Sequence, residues 1–143
     1  MISLPNSPLP VTADPAHADA TQRDWLTVSQ KYPNDLRAWV EAALEGEQYS
    51  VLIKSVFGNS PYLTNLIFDH AATLRGFFEF GPEHCLASIL RQLNETISPS
   101  AAEAMIELRY CKARAALVIA LADIAGVWDL HQITGGLSDF ADA

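Results

Sequence analysis

Apolar residues recur along this chain at three- and four-residue steps, and nowhere in the strict alternation of a strand. The longest such stretch begins near Ser98. Ser100 with Glu103 three residues on makes a capping-box pattern, and Pro99 suits a first helical turn. From Met105 to Ile124 no glycine or proline interrupts a run dominated by Ala, Leu, Ile, Glu, Arg and Lys. The spacing predicts one helix near Ser100–Ala125, roughly 40 Å long at ~1.5 Å per residue. Gly126 is placed to stop it. A further periodic segment follows, with Asp129 as its cap and Leu130, Ile133, Thr134, Leu137, Phe140 and Ala141 in phase.

Upstream, Met1–Asp19 holds four of the eight prolines and no period, which predicts a flexible leader. Trp25, Leu26, Val28 and Tyr32 then predict a short helix over Thr21–Tyr32, ended by Pro33. A second starts at Asn34 or Asp35 with Leu36, Trp39, Val40, Ala43 and Leu44 in phase and Gly46 past its end. A third covers Glu47–Phe57, with Gly58 as its terminator. Ser60-Pro61 is a cap followed by a first-turn proline. Tyr62–Phe80 reads as one bent helix or two short ones, because Gly76 weakens its middle. Gly81-Pro82 opens another, striped by Cys85, Leu86, Ile89, Leu90 and Leu93 and fading over Asn94–Ile97. The expectation is an all-α fold, an irregular bundle of about seven or eight helices forming one domain over residues 20–143.

Composition narrows the function classes. Half of the 143 residues are apolar and 18% are charged, as in a folded chain. The net charge of −8 disfavours nucleic acid and anionic membranes as partners. No apolar run approaches the ~20 residues of a membrane span, and the first residues lack the basic region of a signal peptide. Cys85 and Cys111 lie far apart without a CxxC and read as buried free thiols, although a disulfide stays open. The expected compartment is the cytoplasm.

Candidate chemistry is sparse. There is no GxSxG, SxxK or catalytic-cysteine context, and Gly135-Gly136 lacks the spacing of a phosphate-binding loop. His17, His70, His84 and His131 have no metal-ligand spacing to one another, and read as ordinary histidines. Glu103 and Glu107, one turn apart, suit a solvated helix face better than an acid–base pair. No catalytic, cofactor-binding or metal residue is assigned. Four residues remain as candidate interdomain or partner contacts. Arg109, Lys112 and Arg114 reverse the local sign of a chain with only nine cations. Asp123 sits among Ile119, Leu121 and Ile124, where it must face solvent, pair with another helix or cap the next segment. Glu107 and Arg114, two turns apart, have no direct contact.

From Leu108 the pattern becomes specific: L-R-x-x-K-x-R-x-A-L-x-I-A-x-A-D-I-A-G, then L-x-x-I-T-x-x-L-S-D-F-A-D-A. It resembles the N-terminal region of the bifunctional glutamine synthetase adenylyltransferase/adenylyl-removing enzymes. SPYLTNLIFDHAATL at Ser60–Leu74 resembles an early helix of the same family, so the likeness spans about Ser60 to Ala143. Arg109, Lys112, Arg114, Asp123, Ile124, Gly126, Leu130, Thr134, Leu137, Ser138, Ala141 and Asp142 carry it.

The resemblance implies a cytoplasmic enzyme with two nucleotidyltransferase halves. One transfers AMP from ATP to a tyrosine of glutamine synthetase, and the other removes it by phosphorolysis. It also implies regulation by a PII-type signal protein and, for the full-length enzyme, magnesium and ATP. The family's Gly-Ser-x-Asp loop is missing here: Leu137-Ser138-Asp139 lacks the glycine and the second carboxylate. The helical period also continues to Asp142-Ala143 with no stop signal, as in a frayed terminus or a cut through a longer helix. With the resemblance, the expectation is a helical part ahead of a transferase core that it contacts in cis, silent by itself. The alternative is a stand-alone helical protein-interaction module.

Overall fold

The computed structural model describes residues 14–95 and 100–126, with the side chain of Glu47 left aside. Among the described residues there are seven α-helices and no strand: α1 (Pro15–Ser29), α2 (Asn34–Glu45), α3 (Glu47–Asn59), α4 (Pro61–Asp69), α5 (Ala71–Phe80), α6 (Pro82–Glu95) and α7 (Ala101–Ile124). The all-α expectation holds, and the long helix lies where the spacing placed it. Ser100 caps α7 by accepting from the Glu103 backbone N–H at 3.2 Å. Gly126, at φ 70°, closes its end through a hydrogen bond from its N–H to the Asp123 carbonyl.

The described residues up to Arg75 fall in one compact unit and those from Gly76 onward in a second. The border lies inside α5, so the chain crosses it as helix and no Pro/Gly/Ser-rich linker marks the place.

In the first unit, α3 packs against α1, α2 and α4. Its inner face buries Leu52, Ile53, Val56 and Phe57. The Trp25 ring meets Phe57 edge-on at 5.7 Å, and Phe57 meets Phe68 at 6.0 Å. The indole N–H of Trp25 donates to the Tyr32 hydroxyl at 3.2 Å, and that hydroxyl donates to the Phe68 carbonyl at 2.8 Å. A last-turn carbonyl of α4, with no partner in its own helix, is thereby satisfied from the turn that follows α1. In the second unit α6 packs against α7. Cys85, Leu86 and Ile89 of α6 are buried, as are Cys111, Ala115, Val118 and Ala122 of α7.

Boundaries differ from the sequence pattern in three places. α1 begins at Pro15, inside the expected leader, because Asp14 caps it by accepting from the His17 N–H at 3.0 Å with Pro15 in the first turn. α3 runs through Gly58 and stops at Asn59, where Ser60 takes over. The Tyr62–Phe80 stretch is two helices, broken at His70 and not at Gly76. Gly76 lies mid-helix facing α6: a Cβ there would stand 3.4 Å from the Cys85 Sγ. The remainder of the leader, the restart at Ser98-Pro99 and the segment capped by Asp129 lie outside the described residues.

Candidate interaction surface

The sequence-flagged residues of α7 do not share one face. At ~100° per residue, Arg109 and Lys112 lie about 60° apart, whereas Arg114 lies about 140° from Arg109. Arg114 turns to the seam with α6. Its Nη1 donates to the Gln92 Oε1 at 2.7 Å, and its guanidinium lies 5.5 Å from the centre of the Tyr110 ring. The Gln92 Nε2 donates to the Glu107 Oε1 at 3.0 Å, and the Cys111 thiol lies 3.7 Å from the same oxygen. Gln92 thus bridges the carboxylate and guanidinium that sequence spacing left apart. Nothing in the sequence marked it, because a glutamine beside an apolar stripe is ordinary until its neighbour is known.

Arg109 and Lys112 are exposed, and among the described residues neither has an ion pair. Asp123 is exposed as well, and the segment it could cap lies outside the described residues. What surrounds the two cations is unexpected. Met105 is 54% exposed, Ile106 65% and Tyr110 46%, three large side chains left facing solvent together. Along α7, Ala101–Ile106 are all exposed, and the buried positions begin at Cys111. Sequence period could not show this switch, because the apolar residues of α7 keep to no single face along its length. The signal lay in the off-face positions of Met105, Ile106 and Tyr110.

Other reactive groups are engaged in packing. Cys85 and Cys111 are free and buried, so the open disulfide alternative is not realised. Burial pushes the Cys85 thiol up to about 11, the Arg114 charge working weakly the other way. Burial also raises Cys111, with Glu107 acting in the same sense. The exposed His84 ring stacks on Phe80, itself exposed, with centroids 4.7 Å apart. His70 ends α4, and His17 lies 3.5 Å from the Thr21 hydroxyl. Among the described residues no three His, Cys, Asp or Glu side chains converge as metal ligands. None of the described helices is long and apolar enough to cross a membrane.

The profile of the glutamate-ammonia ligase adenylyltransferase family matches residues 50–143. A bifunctional glutamine synthetase adenylyltransferase/adenylyl-removing enzyme of Rhodopseudomonas palustris (strain BisB5) is 34% identical over 130 residues, 89% of this chain and 13% of that protein. Its counterpart in Bradyrhizobium sp. (strain ORS 278) is 33% identical over 131 residues, 90% of this chain and 13% of its own length. That of Caulobacter vibrioides is 39% identical over 89 residues, 62% of this chain and 9% of its own. The likeness therefore extends upstream of Ser60. The chain spans about an eighth of the length of the relatives that match most of it. No solved structure matches.

Proposed function

The chain belongs to the glutamate-ammonia ligase adenylyltransferase family, and from that premise we propose that it is a helical, non-catalytic part of an enzyme that adenylylates and deadenylylates glutamine synthetase. The observation that carries this reading is the family match over residues 50–143, joined to relatives named for that reaction that align with nine-tenths of the chain. In this reading the chain packs against a transferase core in cis and helps present glutamine synthetase to it, in the cytoplasm and under control of a PII-type protein. Magnesium and ATP belong to that core. Arg109, Lys112, Arg114 and Asp123 are the proposed interdomain or partner contacts. Arg109, Lys112 and Asp123 act as exposed charges, and Arg114 through the Gln92–Glu107 bridge.

Two assays test it. The purified 143-residue chain, incubated with adenylylated glutamine synthetase and phosphate, is expected to release no ADP; release would refute the non-catalytic assignment. In the second, the matching region of the Rhodopseudomonas palustris relative is replaced by this chain. Deadenylylation above that of the same enzyme lacking the region is expected. No gain from a folded chimera would favour a stand-alone interaction module.

A further inference from the structure

We propose that the outer face of the first three turns of α7 is a docking surface for an acidic amphipathic helix supplied by a partner polypeptide. Lys112, Met105, Arg109, Ala102, Ile106 and Tyr110 fall within an arc of about 160° around the axis. All six are exposed, and the arc carries no acidic residue. Glu103 and Glu107 lie beyond its Tyr110 edge, and Gln92 holds Glu107 toward α6. On a chain of net charge −8, this is a local reversal of sign laid over three large exposed apolar side chains.

Both shape and charge select the occupant. Ala102, Ile106 and Tyr110 form a ridge at four-residue spacing, and the small Ala102 lets a second helix axis approach closely. Tyr110 is steadied by the Arg114 guanidinium 5.5 Å from its ring centre. Arg109 and Lys112 flank the other side of the ridge and match carboxylates along the edge of an incoming helix. A second copy of this chain fits poorly, because a two-fold pairing sets this face against itself, and the arc offers no carboxylate to Arg109 and Lys112. An anionic bilayer also fits poorly: two cations on the face contend with the repulsion of the whole chain.

The inference rests on the reading of Arg109 and Lys112 as contacts and adds the chemistry of what they contact. It is tested on the full 143-residue chain with a fluorescein-labelled, helix-stabilised peptide carrying Leu at i, i+3, i+4 and i+7 flanked by Glu. A matched peptide carries Lys in place of Glu. By anisotropy at low salt, the Glu peptide is expected to bind at least about tenfold tighter than the Lys peptide, and more weakly as salt rises. The double variant Arg109→Glu/Lys112→Glu should lose about tenfold in affinity for the Glu peptide and prefer the Lys peptide instead. Ile106→Ser should weaken both peptides. Arg23→Glu, at an exposed position on α1, should change neither, and circular dichroism of each variant checks that it remains helical. Equal binding of the two peptides, no binding, or indifference to Arg109→Glu/Lys112→Glu would overturn the proposal. A concentration-dependent dimer abolished by Ile106→Ser would assign the face to a second copy, and capture by phosphatidylserine vesicles would assign it to lipid; either also overturns it. Glutamine synthetase takes no part, so failure here leaves the family-based reading to the ADP and chimera assays.

Discussion

Trp25 shows how one side chain can hold three helices. It is fully buried, its ring edge meets Phe57, and its N–H passes through the Tyr32 hydroxyl to the end of α4. Trp25→Ala should lower unfolding stability by about 3–5 kcal/mol through lost burial and the cavity left behind. Tyr32→Phe keeps the ring but strands an indole N–H and a carbonyl, which should cost about 1–3 kcal/mol in a urea titration. Neither partner was legible in sequence. Trp25 and Tyr32 stood out as apolar positions, but an interaction with Phe68, 36 residues away, depends on tertiary packing alone. The cysteines give a pH signature. The Cys85 thiol ionises at 9.0 in the ordinary case and at about 11 when folded, so across that window the unfolded chain releases a proton that the native chain keeps. Stability should be fully present below 9.0 and fall toward about 11, with Tyr32 and Cys111 acting in the same direction. Denaturation midpoints measured along that range should fall less steeply in Cys85→Ala.

Helix punctuation was the most legible feature at the scale of elements, and where it misled the reason is geometric. Ser60 and Ser100 cap α4 and α7 as their sequence contexts indicated, each accepting a backbone N–H at 3.2 Å. Replacing either with Ala should cost about 1 kcal/mol. Glycines were harder to read, because one residue type serves three purposes. Gly81, at φ 90°, needs its lack of a side chain for backbone reasons, and Gly81→Ala should destabilise by about 1–2 kcal/mol. Gly46, at φ −73°, ends α2 in an extended conformation open to any residue. Gly76 is a helical residue whose missing Cβ leaves room beside the Cys85 sulfur. At 3.4 Å an added methyl just touches it, so Gly76→Ala should gain stability by up to about 1 kcal/mol from helix propensity. A drop of that size would mean the sulfur cannot move aside.

For the whole molecule, fold class and the long helix followed from periodicity, whereas the division at Arg75/Gly76 did not, since a helix carries the chain across it. The proposed interaction surface was half legible. The cations were conspicuous on an acidic chain, but their separation into an exposed pair and a seam-bound Arg114 required knowing which side of α7 is covered. Two exposed ion pairs among the described residues contribute little to stability. Lys54–Asp19 and Arg75–Asp35, both at 3.4 Å, have side chains that remain partly in water. Lys54→Met should therefore move the unfolding free energy by less than about 1 kcal/mol, while molar salt should weaken any partner held through Arg109 and Lys112. A larger loss of stability in Lys54→Met would show that the pair matters more than its exposure indicates.

Between Asn34 and Glu95 the chain contains almost no slack. α2 to α6 are separated by one residue each: Gly46, Ser60, His70 and Gly81. Ser60 ends α3 through its N–H and starts α4 through its hydroxyl. Adding or deleting one residue inside α4 turns the rest of that helix by about 100°. An alanine inserted between Pro61 and Leu63 would swing Leu66 and Ile67 out of the core, with no loop to absorb the slip. Drift in this stretch is thus confined to substitution, and length variation among functional descendants is expected to fall outside it.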